Sequence, residues 1–89
     1  MKTVLSVLGN DRKGIVATVA TTLYEAGANI DDIQQTLLKD LFSMTMLVTL
    51  DESVCGFNEL QERLAHDSEK LKLQITLQRE DVFAFMYKV

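Results

Sequence analysis

The sequence predicts an α+β sandwich in which two helices cover one face of a four-stranded antiparallel sheet. Three observations point to it. Apolar residues alternate in some stretches and recur at three- and four-residue spacing in others, and the two kinds succeed one another as β-α-β-β-α-β. No proline interrupts them, and Gly9, Gly14, Gly27 and Gly56 each fall at a boundary between stretches. The 89 residues, 47% hydrophobic and 25% charged, suit one domain closing on one hydrophobic core.

Thr3 to Leu8 is rich in β-formers and almost continuously apolar, as a central strand buried on both faces should be. After a polar turn, Ile15, Val16, Val19, Leu23 and Ala26 line one face of a helix from about Gly14 to Ala26. Gly27 stops it, because glycine accepts the left-handed conformation of a C′ residue. Asn29 to Leu38 reads as a second strand, with Ile33 and Leu37 on one face and Asp32, Gln34 and Thr36 on the other. Lys39-Asp40 then joins it to a third strand, Leu41 to Leu50, as a hairpin, although Lys-Asp is a poorer turn pair than Asn-Gly. A loop from Asp51 to Gly56 leads to a second helix marked by Phe57, Leu60, Leu64 and Leu71, secure over Phe57 to Ser68. Leu71, Leu73, Ile75 and Leu77 alternate with polar residues, which starts the last strand near Leu71. Val82, Phe85, Met86 and Val89 fit a short tail helix over about 81–88, behind Asp81. The whole is a ferredoxin-like βαββαβ sandwich: a single domain over 1–89, its core at about 3–78.

Charge and composition exclude several functions. A net charge of −4 and an isoelectric point near 4.8 argue against attraction to nucleic acid or to an anionic membrane. No apolar run approaches the roughly 18 residues that cross a bilayer. Met1 to Leu8 reads as a strand rather than a secretory signal, so the expected location is the cytoplasm. Cys55 is the single cysteine and His66 the single histidine, which leaves no disulfide, no obvious zinc site and no nucleophile–base pair for an enzyme. No metal or cofactor is expected. His66 reads as a solvated helix residue, Cys55 as unreactive, and Met44 and Met46 as core.

The chemistry concentrates at the first strand-to-helix turn, Val7-Leu8-Gly9-Asn10-Asp11-Arg12-Lys13-Gly14-Ile15-Val16. The first turn of a helix carries unpartnered N–H groups and partial positive charge, and can hold a carboxylate. The N–H groups near Gly14 and Ile15 are the candidate donors, and glycine at 14 leaves them approachable. Asp11, or the amide carbonyls of Asn10 and Asn29, can accept from an ammonium. Structural readings stand beside these. Asn10 or Asp11 serves as a helix N-cap, Arg12 and Lys13 as solvated charges, and Asn29 as a residue shaping its loop.

Taken together, Gly9-Asn10-Asp11-Arg12-Lys13-Gly14-Ile15-Val16 and Gly27-Ala28-Asn29-Ile30 resemble the two signatures of ACT domains, small regulatory modules that bind amino acids. Ile30 to Thr36, Phe42-Ser43-Met44 and Asp81 to Tyr87 are similar to the stand-alone members, whose relatives include the transcriptional regulator of the glycine cleavage system. The resemblance implies a non-catalytic module binding a small amino acid between two subunits. The implied ligand residues are Asn10, Asp11, Arg12, Gly14, Ile15, Asn29 and Ile30, and the implied partners are a second copy and a regulated protein. Val4, Leu8, Leu38, Leu41 and Leu47 share the sheet face away from the helices, to be covered by the tail and by a homodimer partner. A ligand-free adaptor using that face is the alternative. An acylphosphatase-like enzyme is disfavoured by Asp11, which would repel a phosphate. An RNA-binding module would need stacking aromatics and a basic sheet surface, both missing here.

Overall fold

The computed structural model describes residues 1–86, with side chains to residue 83. Its elements are β1 (Lys2–Gly9), α1 (Arg12–Glu25), β2 (Asn29–Leu38), β3 (Leu41–Thr49), α2 (Phe57–Leu71), β4 (Gln74–Arg79) and α3 (Glu80–Met86). The strands form one antiparallel sheet in the order β2-β3-β1-β4, the ferredoxin-like arrangement. β1 and β3 are central, which is why β1 reads as an almost unbroken apolar run.

The main core fills the space between the sheet and α1 and α2. Ile15, Val19 and Leu23 of α1 and Leu60 and Leu64 of α2 meet Leu5, Val7, Phe42, Met44, Met46 and Val48 of the central strands. The helices hold there because each offers its apolar stripe to the sheet, where burial stabilises by about 25 cal/mol per Å² of apolar surface. α1 ends as its glycine requires. Gly27 has φ +69°, its N–H bonds to the Tyr24 carbonyl, and the Ala28 N–H bonds to that of Leu23.

Several boundaries differ from the sequence expectation, α1 starting at Arg12 rather than at about Gly14. α2 continues to Leu71 and β4 starts only at Gln74. Lys72 takes a left-handed conformation (φ 55°), and the Leu73 N–H returns to the Ser68 carbonyl at 2.9 Å, so residues 71–73 form a helix terminus instead of a strand start. The Lys39-Asp40 hairpin closes with Leu38 opposite Leu41, and Lys39 adopts the positive φ (55°) that tight hairpins require.

The face away from the main core carries Val4, Leu8, Leu38, Leu41 and Leu47, as the registers show. Val4 is buried and Leu8 half-buried, and α3 packs against β1 and β4. Leu38, Leu41 and Leu47, on the β2–β3 side, remain exposed. The end of the expected tail helix, residues 87–88, and Val89 of its apolar pattern lie outside the described residues.

Candidate functional site

The turn between β1 and α1 is built around a cap. Asp11 is the N-cap residue of α1, extended at φ −111°, and its Oδ1 accepts the Gly14 N–H at 3.2 Å. The Ile15 N–H donates to the Asp11 carbonyl at 2.9 Å, the first bond of the helix, and the Ile15 side chain is wholly buried. Both candidate donors are therefore occupied by Asp11 in the single chain. A Cβ built on Gly14 would lie 3.0 Å from Asp11 Oδ2, so the approach expected to stay open for a ligand is filled by the cap carboxylate. Asn10, Arg12 and Lys13 are exposed.

The second part of the expected site lies elsewhere. Gly9 and Leu37 flank Phe42 from either side, which puts the β1–α1 turn beside the far end of β2. Asn29 pairs with Thr49, and Ile30 with Val48, at the opposite end of the sheet. Seven residue steps along β3 separate Phe42 from Thr49, roughly 23 Å at strand rise. One chain does not bring Asn29 and Ile30 to Asn10, Asp11 and Arg12.

Asn29 has its own local chemistry. Its Nδ2 donates to Asp31 Oδ1 at 2.6 Å, and Thr49 Oγ1 donates to Asp31 Oδ2. The Thr49 hydroxyl, then the Asn29 amide and the charge of Lys2, hold the Asp31 carboxyl below the ordinary carboxylate range. Asp31 sits at a β-bulge, where the register with β3 shifts between Ile30 and Asp32.

Beside the turn, α1 and β2 enclose a groove of about 540 Å³ lined by Arg12, Lys13, Val16, Ala17 and Gln35. A smaller hollow of about 130 Å³ is lined by Arg12, Gln35, Thr36, Leu37 and Phe42, and shares Arg12 and Gln35 with the groove. Gln35 was legible in principle: it lies opposite Met44, so it shares the helix-side face with Ile33 and Leu37, where a polar residue breaks the alternation. A larger cleft of about 670 Å³ lies between α1 and α2, lined by Thr22, Glu25, Glu59, Glu62, Arg63, His66 and Asp67. It shares no residue with the turn. Arg63 there faces Glu59 at 3.6 Å, and Thr22 Oγ1 donates to the buried Asp67. His66 is exposed, and burial, with Glu59 nearby, pushes the Cys55 thiol above its ordinary range.

The sequence profile of the ACT domain matches residues 2–78. The chain belongs to the ACT-domain family. This ACT domain is 44% identical over 88 residues to a UPF0237 protein of Methanopyrus kandleri, covering 99% of this chain and 98% of that one. Its structure resembles an ACT domain protein from Streptococcus pneumoniae, with 35% identity, a TM-score of 0.78, and coverage of 100% of this chain and 96% of the other. The regulatory subunit of aspartate kinase from Thermus thermophilus shares the ACT fold at 23% identity and a TM-score of 0.67, over 86% of this chain and 50% of that one. Among the described residues no helix is long and apolar enough to cross a membrane.

Proposed function

We propose that this ACT domain is a non-catalytic regulatory module of the cytoplasm that binds a small amino acid between two copies of itself and signals to a partner protein. One observation carries the reading. β2 is exposed along all ten residues and is an edge strand, with Ile30, Ile33 and Leu37 uncovered on the helix-side face. An edge of this length and apolar content needs a partner or it templates aggregation. The other edge strand, β4, is six residues long, and Gln61 Nε2 already donates to its Leu77 carbonyl.

A second β2 laid antiparallel across a two-fold axis closes the assembly. It also sets position 29 of one copy opposite position 38 of the other, and so beside the other copy's β1–α1 turn. In that arrangement Asn10, Asp11, Arg12 and Gly14 of one copy lie at the same end of the sheet as Asn29 and Ile30 of the other, Ile30 on the helix side and Asn29, opposite Thr49, on the other sheet face, with Ile15 packing beneath. Since Asp11 occupies the Gly14 amide, Arg12 is the group left to meet the ligand carboxylate. The kinship with a fold that also serves as a kinase regulatory subunit supports the regulatory part of the reading.

A thermal-shift screen of the common amino acids tests it. Ligand about tenfold above its Kd stabilises the bound form by roughly 1.4 kcal/mol, about 5–10 °C in a domain of this size. The expected result is such a shift for a small subset of amino acids, reduced in Arg12→Gln. No shift from any of them at millimolar concentration contradicts the sensor and favours a ligand-free adaptor, for which Leu38, Leu41 and Leu47 supply an exposed apolar face.

A further inference from the structure

Resting on that reading, we infer that the groove between α1 and β2 selects its ligand as a carboxylate on an apolar body, and that it does not read the ammonium group. Its lining supplies the reason. Arg12 and Lys13 stand together at the groove with no ion-pair partner among the described residues, and of the described arginines Arg12 alone is not paired with a carboxylate, Arg63 and Arg79 being so. Two unpaired cations converging on one concavity favour an anion, and a guanidinium holds a carboxylate through paired N–H donors. The groove's apolar walls are Val16 and Ala17, continued by Leu37 in the adjoining hollow, and they suit an aliphatic side chain.

Gln35 is the single amide among these residues, and since its carbonyl can accept from an ammonium and its NH2 can donate to a 2-oxo group, it does not tell the two apart. Among the described residues no Asp or Glu lines the groove or the adjoining hollow. The acids nearby in sequence lie elsewhere: Asp11 caps α1, Asp31 is bound to Thr49, and Thr49 and Asp32, which is opposite Leu47, are on the sheet face away from Gln35. A second copy paired through β2 adds to the helix side of the groove mainly Ile30 and Ile33, which lengthens the apolar wall without bringing an acid. The volume, about 540 Å³, accommodates a branched-chain acid. The site is accordingly indifferent between an aliphatic amino acid and the 2-oxo acid of the same skeleton.

Titration calorimetry on the full chain, with amide NMR to locate the site, tests this using four probes: L-leucine, 4-methyl-2-oxopentanoate, L-serine and L-aspartate. The expected result is binding of the first two with Kd values within about threefold of each other, both shifting the amides of Arg12, Lys13, Gln35 and Leu37. Serine and aspartate bind at least about tenfold more weakly, the margin a few buried methyl groups give. Arg12→Gln lowers the affinity for both aliphatic probes about tenfold, the scale of one charge-assisted bond, with an unchanged melting curve in the absence of ligand. Leucine binding with the oxo acid at least about tenfold weaker overturns the inference and leaves the sensor reading standing. So does tightest binding by serine or aspartate. Binding that leaves the groove amides unmoved overturns the placement, and no binding by any of the four probes overturns the inference, the sensor falling with it only if the amino-acid screen also shows no shift.

Discussion

Gly9 and Gly14 lack side chains for different reasons. A Cβ on Gly9 would lie 2.3 Å from Leu73 Cδ2 and 2.8 Å from Ile15 Cδ1, so this position is a packing constraint where β1 enters the turn. Gly9→Ala is expected to destabilise by about 1–3 kcal/mol, read from denaturant unfolding, because the clash falls on core side chains. At Gly14 the neighbour is the Asp11 carboxylate, whose cap is worth about 1 kcal/mol. Asp11→Ala should lose that amount in a thermal melt while the spectrum of the folded state is kept. Asp31 gives a residue-scale pH signature. Folding holds its carboxyl below the unfolded value, so its stabilising contribution is complete above the unfolded value and fades as pH falls through the folded one. Removing the donor in Thr49→Val should raise the Asp31 midpoint toward the ordinary carboxylate value, followed by NMR titration.

At the scale of elements, the sequence was legible wherever pattern and punctuation agreed. Gly27 marked the end of α1, and β2 runs over the expected residues, Asn29–Leu38. The α2–β4 boundary was not legible because Leu71 satisfies both periods: it is four-plus-three residues after Leu64 and two before Leu73. Which one wins depends on the left-handed Lys72 and the bond from Leu73 to Ser68, neither visible in an alternation. Lys72→Gly relieves that conformation and should stabilise the chain by about 0.5–1 kcal/mol in chemical denaturation. The site was legible in part. The residues of the turn announce a helix start, but nothing local says that the Asp11 carboxylate covers Gly14. Gln35 enters the groove through strand register, a property of pairing and not of spacing.

For the whole molecule the informative feature is an asymmetry of edges. One side of the sheet is short and partly occupied, whereas the other, β2, presents ten exposed residues with apolar positions among them. The two parts of the expected site lie at opposite ends of that strand, and the antiparallel second copy proposed above would bring them together. Ile33 is the position to break, since it is exposed in the single chain and its replacement leaves the main core untouched. The most direct measurement pairs light scattering with calorimetric titration of L-leucine, on the unaltered chain and on Ile33→Glu. The account predicts a dimer that binds leucine, and a folded monomeric variant that binds it at least about tenfold more weakly, the loss of one wall of a shared pocket. An unaltered chain that is monomeric at micromolar concentration, or an Ile33→Glu monomer that binds leucine with full affinity, would contradict it.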